Sequence, residues 1–255
     1  MAETGIKLDL TPAQQRQLQF EARLRLERGK NEARWAEHPW PFLRDAVWTI
    51  DQQKGGDGGA KRKWPGGEIN DPNHECRCCE GGCQNYLHHL VNRLHSEPEI
   101  LLPKSRRLLA SWTVIAYAYW RARYKEHELI GLASRKAGHH DGEGSGELVK
   151  RAWQIHQAMP PEATVRKANY SHCRLVMDNG SEIVGIAQGA DQARQYTYTC
   201  YIADEFAFWE WAGKTYAALK PALEGGGQFI GLSSASPGFM EQLVFDRWSM
   251  TGGDE

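Results

Sequence analysis

"LLPKSRRLLASW", Leu101 to Trp112, sets three cations, Lys104, Arg106 and Arg107, between two apolar runs. Its apolar start predicts a short strand, its basic middle a turn, and its end the opening of a hydrophobic helix. That order is the layout of a phosphate-binding loop, in which the free N–H groups of a first helical turn attract an anion. The usual pattern is G-x-x-x-x-G-K-[ST]. Laid over "KSRRLLAS", it sets Lys104 on the first glycine, Leu109 on the second, Ala110 on the lysine and Ser111 on the hydroxyl. Both glycines are lost and the cation stands at the opposite end. A preceding strand, a helix start and a hydroxyl able to ligate Mg²⁺ survive, and Lys104, Arg106 and Arg107 supply more positive charge than the standard loop. Taken alone, the stretch reads as a basic turn opening an ordinary helix.

Two later stretches change its weight. "CYIADE", residues 200–205, is an apolar strand ending in two adjacent carboxylates. In NTPases such a pair divides its work: Asp204 would hold Mg²⁺ through water and Glu205 would polarise the attacking water. "FIGLSSASPG" is a further apolar strand ending in Ser233, Ser234 and Ser236, small hydroxyl residues suited to sensing a γ-phosphate.

The surrounding pattern predicts an α/β fold. Thr11-Pro12 opens a long charged helix, and residues 1–40 are expected as a solvated helical appendage to a domain over 41–255. "NYLHHLVNRLHSE", "SWTVIAYAYWRARY", "ELVKRAWQIHQAM" and "WEWAGKTYAALKPALEGGG" read as helices, the third stopped by Pro160-Pro161. "EILLPKS", "ELIGLAS", "YTYTCYIADE" and "QFIGLSSAS" read as strands, and "GHHDGEGSG" as a loop. "CRLVMDNGSEIVGIA" reads as a hairpin turning at Asn179-Gly180. Alternation of strands and helices predicts a mostly parallel sheet with helices on both faces. The Gly-, Lys- and Cys-rich residues 54–84 are expected as an insertion outside the core.

In this order and on strands, the three stretches resemble the ATPase domain of the large terminase subunits of tailed bacteriophages, over roughly residues 35–55 and 85–240. "KSRRLLASW" looks like that family's deviant Walker A loop, "YIADEFAFW" like its Walker B strand, and "GLSSAS" like its coupling motif. The resemblance implies a P-loop NTPase of the ASCE/RecA-like class with a β-hairpin before the Walker B strand. It implies ATP and Mg²⁺ as cofactors, with Lys104, Ser105, Arg106, Ala110, Ser111 and Trp112 around the phosphates. Ser111 and Asp204 would hold the metal and Glu205 would orient water, while Arg106 or Arg107 would act in cis and Arg194 on a neighbouring subunit. Gln52 or Gln53 would take the amide role beside adenine, and Ser233, Ser234 and Ser236 would couple hydrolysis to motion. Double-stranded DNA, the portal protein and the small terminase subunit are the implied partners. The implied setting is a homo-oligomeric ring at the procapsid in the host cytoplasm, with a monomer in isolation. The family's nuclease half is not expected within these residues. Two other readings stay open: a helicase-like motor on the same fold, and a non-catalytic DNA-binding or assembly module with a degenerate loop.

Composition restricts the remaining claims. A net charge of −1 demands no nucleic acid, so any DNA contact must be local; Lys61–Lys63, Arg121–Lys125 and Arg135–Lys136 are the basic clusters. No apolar run is long enough to span a membrane and "MAETGIKLDL" is no signal peptide, so a soluble intracellular protein is expected. Four of the six cysteines crowd residues 76–83. Cys76, Cys79 and Cys83 with His88 form a candidate zinc set, against the alternative of a reduced loop. Cys173 and Cys200 are expected in strands as buried apolar groups. Trp112, Trp120 and Trp153 are expected in the core, and Trp209 and Trp211 behind the nucleotide pocket. His139-His140 are expected to face solvent.

Overall fold

The computed structural model describes residues 11–51, 60–64, 86–105, 108–135 and 144–250. Their centre is a seven-stranded sheet, and its formation follows from alternation within the strands. Ile130 and Leu132 of β4 (Leu129–Ser134), and Cys200 and Ile202 of β8 (Cys200–Asp204), enter one apolar cluster. Ala133, Tyr201 and Ala203, one residue out of phase, enter the cluster on the opposite face. Strands buried on both faces need helices on both, which the expected fold class supplies.

The strand order is β3-β9-β8-β4-β7-β6-β5, with β3 Glu99–Pro103, β5 Ala168–Ser171, β6 Arg174–Met177, β7 Glu182–Ala187 and β9 Gln228–Ser233. The five strands from β3 to β7 in that order run parallel, and β6 pairs antiparallel with both β7 and β5. The β6–β7 hairpin turns at Asn179-Gly180 as expected, with Gly180 at φ 80° where a side chain would be strained. Its tip docks on the end of α4 (Ala110–Tyr124): Asn179 Nδ2 donates to the carbonyls of Ala122 and Lys125 at 3.0 Å, and Ser181 Oγ to Lys125 at 2.7 Å. Orphan carbonyls of the helix terminus are thereby satisfied.

The first cluster is built from α2 (Pro39–Ala46), α3 (Tyr86–Ser96), α4 and α5 (Gly144–Gln157). On the other face lie α7 (Ala212–Glu224) and α8 (Phe239–Met250). The long α1 (Pro12–Glu37) starts in a capping box, Thr11 Oγ1 accepting from Gln14 N while Thr11 N donates to Gln14 Oε1 at 2.9 Å. It is mostly solvated, yet Trp35 is buried at its end, where the Trp35 carbonyl accepts from Trp120 Nε1. No helix among the described residues is long and apolar enough to cross a membrane.

Several expectations need correction. Residues 60–63 are not loop but β2 (Ala60–Lys63), antiparallel to β1 (Trp48–Asp51). Trp64, expected in a peripheral insertion, is 1% exposed and donates Nε1 to Thr113 Oγ1 at 3.2 Å, so this part of the stretch belongs to the core. The chain of "GHHDGEGSG" is already helical from Gly144. Cys200 is buried as expected, but Cys173 sits half-buried in the turn between β5 and β6 at φ 54°. Trp120 is buried, while Trp112 and Trp153 pack against the core only in part. Arg121 and Arg123 are no DNA-facing cluster: Arg121 pairs with Glu128 at 2.7 Å and Arg123 with Glu32 at 2.8 Å, both arginines buried. Neither α8 nor β5 is expected from the sequence, and a short α6 (Ala190–Arg194) follows the hairpin.

Candidate functional site

Three adjacent strands end level at the carboxyl edge of the sheet. Pro103 of β3 is in register with Ser233 of β9, and Leu232 of β9 with Asp204 of β8. Lys104 extends the pairing by one bond, its N–H donating to the Ser233 carbonyl at 2.8 Å. One strand therefore separates the loop from the carboxylates, a lateral span of about 10 Å at ordinary strand spacing. Open α/β sheets bind ligands at this edge.

The loop delivers the chain to α4 through Leu109, which adopts φ 54° and ψ 9° in the left-handed region without being glycine. Leu109 therefore holds a conformation that glycine adopts without strain, at the position where the usual pattern has its second glycine. No side chain caps the start of α4, so the first-turn N–H groups are left for another acceptor. One residue into the helix, Ser111 Oγ donates to Asp204 Oδ1 at 3.4 Å, across 93 residues of sequence. The same carboxylate oxygen accepts from the N–H of Glu205 at 3.0 Å.

Glu205 itself stands at φ 56° and is exposed. Behind it a 3-10 turn, Phe206–Phe208, reverses the chain, and the buried Trp209 donates Nε1 to the Asp204 carbonyl at 3.0 Å. Two left-handed non-glycine residues, one on each side of the Ser111–Asp204 contact, are backbone strain of the kind that clusters at working sites. Hard oxygen donors converging from a hydroxyl and a carboxylate suit Mg²⁺.

Next to the loop lies a cavity of about 210 Å³ lined by Pro103, Ala207, Ser233, Ser234, Ser236 and Met240. Ser233 is fully buried and its hydroxyl has no hydrogen-bond partner among the described residues; Ser234 and Ser236 are half-buried. Met240 and the α8 wall escape the sequence reading, although Gly238 N donates to Glu241 Oε2, a capping pattern readable as G-x-x-E.

Other expected site residues are more dispersed. Ala110 is buried at the helix start and Ser105 is exposed. Trp112 turns to α5, with the Arg151 guanidinium 5.4 Å from its ring centre. Trp211, expected behind the pocket, is instead 45% exposed and stacks under Lys214. Arg194 lies exposed on α6, 3.8 Å from Asp191. His88 packs edge-on to Trp40 and meets Asn92 through Nε2. Gln52, Gln53, Arg106, Arg107, Cys76, Cys79, Cys83, His139 and His140 lie outside the described residues. Among those described, no three His, Cys, Asp or Glu side chains group as a metal site.

No family model matches the sequence, and no curated protein matches it. Solved structures do. The large terminase of bacteriophage HK97 aligns over 71% of this chain and 39% of its own, at 9% identity and a TM-score of 0.50. The large terminase ATPase domain of Thermus phage P74-26 aligns over 64% and 69%, at 15% identity and 0.47. The large terminase of a further thermophilic bacteriophage aligns over 62% and 39%, at 11% identity and 0.45. This chain thus spans about two fifths of the HK97 protein. At such identity the likeness is one of architecture: in fold, this chain is similar to the phage large terminases.

Proposed function

We propose that this chain is the ATP-hydrolysing motor domain of a phage large terminase subunit, using Mg²⁺ and ATP to move double-stranded DNA into a procapsid. The observation that carries the reading is the meeting of Ser111 Oγ and Asp204 Oδ1 beside an uncapped helix start. A hydroxyl on the first helical turn and a carboxylate two strands away share one point in space, where a metal bound to a triphosphate would need both.

In this reading the N–H groups at the start of α4 and the Lys104 ammonium take the phosphates, orienting the terminal group and neutralising it. Ser111 and Asp204 would hold Mg²⁺, which when bound supplies Lewis-acid neutralisation of the phosphate oxygens. Glu205 orients and polarises the attacking water. Arg106 or Arg107 acts in cis, Arg194 on a neighbour's site, and Gln52 or Gln53 beside the base. Ser233 is suited to report phosphate loss: its peptide carbonyl holds Lys104 N, and its hydroxyl is buried without a partner among the described residues. The portal protein, the small terminase subunit and a ring of copies complete the proposed setting, with the zinc set of Cys76, Cys79, Cys83 and His88 as a separate proposal.

A fluorescent ATP analogue titrated with and without Mg²⁺ tests the site, and Mg²⁺-dependent phosphate release with and without DNA tests the motor. Metal-dependent nucleotide binding is expected. A chain that binds no nucleotide would sink the reading, and a slow turnover would not, because an isolated domain lacks a neighbour's arginine.

A further inference from the structure

A second cavity, of about 250 Å³, opens where α1, the end of α4 and the end of α5 meet the segment from Met159 to Arg166. Its wall carries Arg28, Arg123, His156 and Arg166, and no carboxylate among the described residues lines it. That is an unusual lining for a space between packed helices, because like charges brought together out of water repel.

The architecture holds these cations from behind. Arg123, 1% exposed, spends one terminal nitrogen on Glu32 at 2.8 Å and on the Thr164 carbonyl at 2.7 Å. Glu32 also accepts from Thr164 N at 2.7 Å, so a single carboxylate on α1 anchors both the arginine and the segment. Arg28 Nε donates to the Pro161 carbonyl at 2.7 Å and forms no ion pair among the described residues. Arg166 has only a loose ion pair, 3.9 Å to Asp178.

Two donors are then left over. The Nε of Arg123 and the Nε of Arg166 are both buried with no hydrogen-bond partner among the described residues. Buried guanidinium N–H groups left unmatched are costly, and structures seldom retain them without an acceptor. The carboxylates paired with these guanidinium groups, Glu32 and Asp178, stand behind them and neither lines the cavity.

We propose that this cavity is a binding site for a small phosphate-type oxyanion, separate from the nucleotide site. A tetrahedral oxyanion offers acceptors in several directions, which suits a cavity lined by three guanidinium groups. His156 supplies a fourth wall: its Nδ1 meets the Tyr119 hydroxyl at 2.9 Å and its ring stacks on Trp153. Burial first, and the adjacent Arg123 charge second, lower the pKa of its imidazole below the ordinary value, while Asp178 pulls the other way. A bound anion would offset the Arg123 effect directly.

The test is titration calorimetry with inorganic phosphate at constant ionic strength, repeated with phenyl phosphate to separate a free anion from a terminal monoester. Because the loop at Lys104 also attracts phosphate, the parent is compared with Lys104→Ala and Arg166→Gln. Arg166 is the milder choice than the buried Arg123, since its side chain is 36% exposed, and a urea curve verifies that the variant folds. Saturable binding that survives Lys104→Ala and weakens about tenfold in Arg166→Gln is the expected result. Binding absent from the parent, or lost with Lys104→Ala and unchanged by Arg166→Gln, overturns the proposal. If both ligands bind, the cavity takes a monoester; if inorganic phosphate alone binds, it takes the free anion.

Discussion

The two edges of the sheet carry polar groups in opposite ways. At the amino edge, Arg121 donates to both oxygens of Glu128, at 2.9 and 2.7 Å, and to Gln228 Oε1 at 2.7 Å. Gln228 Nε2 in turn donates to the carbonyls of Leu94 and Glu97, and Thr199 hydrogen-bonds to Glu128. This network is buried and cross-linked over α3, α4, β4 and β9, although the Arg121 Nε finds no hydrogen-bond partner among the described residues. At the carboxyl edge, Asp204 meets one hydroxyl at a long 3.4 Å, Glu205 is exposed in a strained backbone, the Ser233 hydroxyl has no partner among the described residues, and the start of α4 has no side-chain cap there. Charge fixed by internal partners belongs to the architecture; polar groups gathered with little to bind each other are fitted for something that arrives from outside.

The contrast breaks most visibly at Arg121. Replacing it by leucine leaves the buried Glu128 carboxylate without its countercharge, while Gln228 Oε1 still accepts from the Tyr117 hydroxyl, and a loss of about 3–5 kcal/mol is expected in urea unfolding. A loss below about 1 kcal/mol would mean that the amino edge is no more tightly tied than the carboxyl edge. Glu205→Ala should do the reverse, leaving the unfolding curve in place while phosphate release falls at least about 100-fold. Nucleotide binding is retained in that variant, and turnover equal to the parent would remove Glu205 from its role. Lys104→Ala sharpens the comparison further. Its ammonium has no ion pair among the described residues, so the variant should fold normally and bind the ATP analogue about tenfold more weakly.

Much of this arrangement was legible because it follows local rules. Asn179-Gly180 announces its turn through the one residue that accepts positive φ freely. The strands ending at Pro103, Asp204 and Ser233 are visible as apolar runs closed by polar residues, and the pairing of Ser111 with Asp204 follows once both are placed on one sheet edge. What escaped depends on contacts distant in sequence. Arg121 and Arg123 read as a basic surface cluster because nothing nearby says that Glu128 and Glu32 will face them. Trp64 sits among glycines and lysines, and only its packing under Thr113 makes it core. Cys173 opens the stretch read as a hairpin, but it lies in the turn that enters β6 from β5, a strand the sequence reading missed.

Leu109 gives the finest test, because a residue other than glycine holds a left-handed conformation at the very start of α4. Its left-handed backbone costs about 1–2 kcal/mol relative to an ordinary conformation. Glycine relieves that strain but loosens the unfolded chain by about 0.5–1 kcal/mol, so Leu109→Gly should shift stability by less than about 1 kcal/mol and leave nucleotide affinity near the parent's. A β-branched residue tolerates positive φ least, so Leu109→Val should lose about 1 kcal/mol and bind the ATP analogue several-fold more weakly. The pair separates backbone from side chain: valine keeps most of the apolar side chain but resists the turn, and glycine removes the side chain but retains access to the turn. If the two bind nucleotide equally, the turn at Leu109 does not aim the helix start at a ligand, and the carboxyl edge loses the feature that most distinguishes it from the other end of the sheet.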